Sequence, residues 1–330
     1  MTARRALHCA QVISCHCEVA MTLSAKTWGA FCAMIAGISY GTNPLGGLIM
    51  FSEGLNPTSV IFYRFILASL GFAVIMVMSR ISFKVSLYEL LMLAILGLLF
   101  SVSALTLFSS FLYMDAGLAS TLFFIYPIFV VLTMAALFHE KPTLSLWIAI
   151  LFTLIGIGCL YRGDGEGFNL KGVLYVLGSA ISYCVYMVVI NRSRFTMSAV
   201  KMNFYMAIFC LLGITLFSFT SESSHLRPLE TPVALMGAIF LAVVPTLVSL
   251  TFMVKAIKLI GSTPTSIIGA LEPLTAVAIG VLFFNELFTP RMAIGITLII
   301  SGVLILVGGS ELKTRALQLK DRVKLWRWRN

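Results

Sequence analysis

The sequence predicts an all-α integral membrane protein whose ten transmembrane helices form two five-helix repeats of inverted topology. Three observations predict it. The composition is too apolar for water, ten stretches are long enough to cross a bilayer, and the second five resemble the first. A soluble domain is roughly 45–50% apolar and about 25% charged. This chain of 330 residues is 59% hydrophobic and 11% charged, so most of its surface must face lipid. The runs are continuously apolar rather than alternating, which excludes a β-barrel.

A spanning helix needs about 20 mostly apolar residues. Runs of that length occur at 27–50, 58–79, 90–112, 117–138 and 143–161, and again at 172–191, 202–220, 231–253, 261–285 and 292–310. Arg64 and Glu272 are the charges inside them. Lysine and arginine concentrate on the side that carries both termini: Lys26, Arg80, Lys84, Lys141, Arg192, Arg194, Lys201, Lys255, Lys258 and the basic tail. The other side holds Arg162, Lys171, Arg227 and Arg291. Positive loops stay inside, so both termini are expected in the cytoplasm and the chain in the plasma or inner membrane. The net charge of +10 is read as topology and not as a nucleic-acid surface.

The expected organisation is an N-terminal extension over 1–26, a first repeat over 27–161, a second over 172–310 and a tail over 311–330. The tail, ending Leu325-Trp326-Arg327-Trp328-Arg329, suits anionic headgroups. Cys15 and Cys17, with His8 and His16, lack a usual zinc spacing, so no metal and no cofactor is expected. Cys32, Cys159, Cys184 and Cys210 sit in apolar runs and read as small hydrophobes.

The repeat appears when residues are compared at a fixed offset. Ser103/Ser249, Ser120/Ser266, Pro127/Pro273, Glu140/Glu286, Thr143/Thr289 and Gly156/Gly302 are all 146 apart. Ile38-Ser39-Tyr40 matches Ile181-Ser182-Tyr183, and Phe62-Tyr63 matches Phe204-Tyr205. Five helices is an odd number, so the second copy enters the membrane inverted. Inverted repeats around a midplane site are a recurring plan of secondary transporters.

Particular residues could carry such work. Glu272 lies about halfway along the ninth span, where a carboxylate is costly and is read as functional by default. It is either a coupling or ammonium-binding site, or a neutral brace for the Pro273 kink. Arg64 lies roughly 9 Å into the second span. It either snorkels to the interface or faces the centre to hold an acid. Gly41-Thr42-Asn43-Pro44 combines residue types that unwind a helix, and Pro44, Pro127, Pro245 and Pro273 each free a carbonyl, so they are candidate hinges. Tyr40, Tyr126 and Tyr183 are candidate pocket linings. Ser103 and Ser249 lie on polar helix faces that serve either a pocket or helix contacts. Glu140 and Glu286, at helix ends, read as conformational ties. No HExxH and no phosphate loop is present, so no enzymatic activity is expected. A channel or passive facilitator is the alternative to a transporter.

Arg64-Phe65-Ile66-Leu67-Ala68, Pro127 with Glu140, and Glu272-Pro273 with Glu286 together resemble the drug/metabolite transporter superfamily, specifically its EamA-like ten-helix members. The resemblance covers about 27–309. It implies a basket of helices around a central cavity and efflux of amino acids, related metabolites or toxic compounds. It also implies drive by an ion gradient or by the substrate alone. The chain departs from the symmetric pattern at Tyr126, where the second half has Glu272, and places Asn43-Pro44 within the first helix. The expected partners are a small-molecule substrate, the lipid bilayer and protons as coupling ion, with no nucleic acid; a homodimer is allowed.

Overall fold

The computed structural model describes residues 25–305 apart from 115, 140–141, 161–168, 194, 221, 284–289, 292 and 303. The expected tail, most of the extension, and Glu140 and Glu286 lie outside the described residues. All the regular structure described is helical, as the apolar runs require. In hydrocarbon a backbone group has no water to bond, so a helix that satisfies its own carbonyls is the available solution.

The helices are α1 (25–40), α2 (Asn43–Ser52), α3 (Pro57–Met78), α4 (Leu87–Ser110), α5 (Ala116–Phe123), α6 (Tyr126–Phe138) and α7 (Leu144–Leu160). They continue with α8 (Leu170–Arg192), α9 (Ala199–Ser218), α10 (Pro232–Ala242), α11 (Ser249–Ile260), α12 (Ser262–Ile268), α13 (Leu271–Phe283) and α14 (Ala293–Gly302). Five stretches are long and apolar enough to span a membrane unaided: α3, α4, α8, α9 and the run Pro232–Ile260. The other five crossings are the short α7 and α14 and three helices each built in two pieces. Side chains such as Leu137 and Leu144 turn 67% and 75% of their surface outward, a surface suited to lipid and not to water.

Helix starts follow their local chemistry. Asn56 accepts a bond from Ser59 N at 2.8 Å ahead of Pro57. Ser86 and Glu89 form a reciprocal capping box, which satisfies two otherwise orphaned donors. Ser198 and Thr231 cap α9 and α10 singly, each accepting one bond, from Lys201 N and Ala234 N.

The three divided crossings break at Gly41–Thr42, Phe124–Ile125 and Gly269–Ala270. The first lies in the Gly41-Thr42-Asn43-Pro44 stretch expected to unwind; at the other two, where a kink was expected, proline begins a second segment. Pro44 and Pro127 are second residues of α2 and α6, and Pro273 is the third of α13. In a first turn the missing N–H costs nothing. Pro245 acts differently, since it lies in a π-helical turn (Val243–Val248) joining α10 to α11 without a break.

The two halves meet through matching contacts. Ser103 Oγ donates to Ser179 O at 3.1 Å, and Ser249 Oγ to Ala36 O at 2.9 Å. Ser103 and Ser249 are repeat partners, and the Tyr40/Tyr183 alignment makes Ala36 the partner of Ser179. Gly71 lies against Leu247 and Gly213 against Ser101, again partners with partners. Gly156 packs on Gly295 and Ile299, while Gly302 packs on Ala149 and Thr153. One pseudo-two-fold axis therefore relates three separate interfaces, residue by residue.

At Gly156 an added Cβ would stand 2.8 Å from Gly295 O, whereas at Gly178 it would meet nothing within 4 Å. Gly156→Leu should therefore separate α7 from α14 and cost about 1–3 kcal/mol. Gly178→Ala should gain about 0.5–1 kcal/mol from helix propensity. Thermal unfolding in detergent reads both, and equal effects would contradict the packing.

Candidate functional site

Around the pseudo-axis the side chains form an aromatic and charged centre. Tyr40 on α1 and its repeat partner Tyr183 on α8 stack with centroids 6.3 Å apart. Tyr126, the first residue of α6, meets Tyr183 edge-on at 4.9 Å. Phe123 closes against both, at 5.1 Å and 5.4 Å. Tyr186 packs on Tyr183 and on Phe100 at 5.1 Å. All six rings are buried.

The breaks make this convergence feasible. Gly269, at the break before α13, lets the Tyr126 ring approach so that its hydroxyl donates to Ser266 O at 3.3 Å. A Cβ at Gly269 would lie 2.5 Å from that hydroxyl oxygen. Gly41, at the break after α1, lies against the backbone of Glu272 and against Thr275. A larger residue at 41 would push the first crossing off the ninth.

Arg64 and Glu272 are the buried charged residues among those described. Arg64 does not snorkel: it is fully buried and turns inward, with no exposed surface. Its Nε donates to Thr246 Oγ1 at 2.7 Å, one terminal nitrogen to Asn43 Oδ1 at 2.7 Å, and the other to Pro245 O at 3.2 Å. The guanidinium also lies 5.6 Å from the Tyr40 ring centre and 5.3 Å from that of Phe65. These acceptors are all neutral. No ion pair joins Arg64 to Glu272 among the described contacts.

The residues that pin Arg64 come from the two irregular stretches of the first and eighth crossings. Asn43 begins α2 just past the break, and Pro245 and Thr246 belong to the π-helical turn. A π turn exposes carbonyls that an α-helix would engage, and such turns recur at functional sites. Thr246 also donates to Leu241 O, five residues back, at 2.7 Å, which holds the turn's wide pitch.

The structure brings together Tyr40, Asn43, Arg64, Tyr126, Tyr183 and Glu272. It places Ser103 and Ser249 elsewhere, with both hydroxyls engaged at helix contacts. Pro44, Pro127 and Pro273 stand beside the breaks, and Pro245 offers its carbonyl to Arg64. Sequence reasoning did not single out Phe100, Phe123, Tyr186 or Gly269 for the centre. Tyr186 was findable, because the Tyr40/Tyr183 offset makes it the partner of Asn43.

A family model described as the EamA-like transporter family matches residues 27–162 and 170–308. An uncharacterized transporter of Synechocystis sp. is 30% identical over 64% of this chain and 64% of its own length. An uncharacterized transporter of Bacillus subtilis is 23% identical over 52% of the chain and 57% of its own. Both matches span less than two thirds of the relative. An uncharacterized transporter of Archaeoglobus fulgidus is 24% identical over 88% of the chain and 98% of itself. A solved crystal structure, 18% identical, superposes with a TM-score of 0.72 over 88% of this chain and 98% of its own; that likeness carries the fold alone. With two matched segments that together cover nearly all of the membrane region, the chain is a multi-pass membrane protein that belongs to the EamA-like transporter family.

Proposed function

We propose that the protein is a secondary active transporter that exports a small metabolite, such as an amino acid or a related compound, by alternating access. It works from the plasma or inner membrane with both termini in the cytoplasm, and it moves its substrate without chemical change. One observation carries this reading: contacts that match across the pseudo-axis surround a centre whose charges do not match. If the two halves exchange conformations, matched contacts can persist while unmatched ones must be made and broken. A buried carboxylate in such a centre suits proton coupling, because protonation removes the cost of desolvating its charge.

Among the described residues the two membrane faces are tied by different sets of bonds. On one face the α2–α3 turn is bound to the segment before α10. Asn56 Nδ2 donates to His225 O at 2.8 Å, Arg227 to Gly54 O at 2.6 Å, and Thr231 to Glu53 Oε2 at 2.6 Å. Ser59 Oγ accepts from Arg227 N at 2.7 Å, and the Tyr63 hydroxyl donates to Arg227 O at 3.1 Å. On the opposite face, Lys201 and Tyr205 donate to the carbonyls of Lys84 and Phe83. Tyr63 and Tyr205 are repeat partners, so that tie is shared; the bonds from Asn56, Gly54 and Glu53 belong to the first face, and those from Lys258 Nζ to Phe195 O and Met197 O, at 3.4 Å and 2.7 Å, to the second.

Overproduction should raise one class of compound in the medium, and deletion should raise it inside the cell. Glu272→Gln should abolish that flux, or remove its pH dependence, while the protein still inserts and folds. Unchanged flux with unchanged pH dependence would remove the coupling role.

Cross-linking separates pivots from gates in a background freed of native cysteines. Gly54→Cys with Arg227→Cys should stop transport once bridged, because that face can no longer open. Ser103→Cys with Ser179→Cys, whose hydroxyls lie 3.1 Å apart, should transport after oxidation as before. Arrest by both bridges would show that the matched contacts also move.

A further inference from the structure

The repeat supplies an internal control for the buried arginine. Across the pseudo-axis, Arg64 corresponds to Met206 by the Phe62-Tyr63/Phe204-Tyr205 alignment, Asn43 to Tyr186, and Thr246 to Phe100. At that second place Tyr186 and Phe100 meet edge to face at 5.1 Å, and Met206 is fully buried. The fold thus joins the same three crossings without any charge. Packing alone does not call for Arg64, and a guanidinium taken out of water costs several kcal/mol unless it is well compensated.

Compensation at Arg64 is incomplete. A guanidinium carries five N–H donors; three hydrogen bonds go to neutral oxygens, and the Tyr40 hydroxyl is a further neutral neighbour, which still leaves a donor over. Beside it Asn43, 3% exposed, spends its Oδ1 on Arg64, while its buried Nδ2 has no partner. Donors therefore outnumber acceptors at this point. Glu272, the other buried charge, fills none of these bonds among the described contacts.

Building on the transporter reading of the same centre, we propose that Arg64 and Asn43 form an anion subsite, so that the transported compound carries a carboxylate or similar anionic group. The spare guanidinium N–H and the Asn43 amide bind that group in a charge-assisted way. The rings of Tyr40, Tyr126, Tyr183 and Phe123 offer an apolar wall for the remainder of the molecule. The centre stays neutral in two ways. A zwitterion fits an ionised Glu272, and a monoanion fits a protonated one. A simple cation leaves Arg64 uncompensated beside a like charge, and is rejected.

Benzoate, benzamide and benzylammonium share a ring and differ in charge, so they test the subsite on the purified full chain. The midpoint of thermal unfolding should rise saturably with benzoate, and much less with benzamide or benzylammonium. Arg64→Met, which installs the residue of the other half, should weaken the benzoate effect about tenfold or more. Arg64→Lys should fall between, because it keeps the charge and loses the planar fork. The proposal is overturned if benzoate gives no shift, if benzamide or benzylammonium matches it, or if its effect survives in Arg64→Met. Should Arg64→Met not fold, the ring series on the unaltered protein still decides. Glu272→Gln retains Arg64, so loss of flux there with no preference for benzoate removes the subsite and leaves transport standing. A benzoate preference without any cellular flux phenotype does the reverse.

Discussion

Everything in this molecule follows from one constraint: inside hydrocarbon a backbone carbonyl without a partner has nowhere to turn. Among the described residues seven crossings meet it without a break, one of them with a π turn. Three do not, and their breaks are placed where other protein surrounds them. Gly41 lies against the backbone at Glu272, and the Tyr126 hydroxyl reaches Ser266 O next to the Gly269 break. The breaks at 41 and 269 thereby meet the centre, and the same crowding gathers the tyrosines. The site is a product of the irregularity, since regular helices at these positions would keep their polar groups to themselves.

Much of this was legible in the chain before any coordinates. Length and hydropathy gave the crossings, because a span of fixed thickness needs a run of fixed length. The repeat was visible wherever both halves retained the same small or polar residue, as at Ser103/Ser249 and Gly156/Gly302. Those residues survive in both halves for the same structural reason, helix contact, which is also why Ser103 and Ser249 are drawn away from the centre. Arg64 and Glu272 stood out because charge is rare at depth. Depth alone did not tell that Arg64 turns inward, which depends on acceptors contributed by Asn43, Pro245 and Thr246 from crossings distant in sequence.

The aromatic wall was harder to read. Among so many phenylalanines and tyrosines, Phe100, Phe123 and Tyr186 carry no local mark, and only three-dimensional convergence separates them from rings that face lipid. The helix breaks were half legible. Proline announced irregularity at 44, 127 and 273, but a proline in a first turn and a proline at a kink look alike in a sequence. Glycine at 269 and the bulky Phe124–Ile125 pair show that equivalent breaks need not share residue types.

The π turn at Pro245 has a consequence for how the eighth crossing can move. Where its counterpart α4 is regular, it carries a widened coil held open by Thr246 and by Arg64. Rewinding that coil into α geometry would turn everything beyond it by about 100°. Ser249, immediately after it, would then lose its grip on Ala36. The crossing thus contains a screw thread with one notch of travel, and the arginine is seated on the notch.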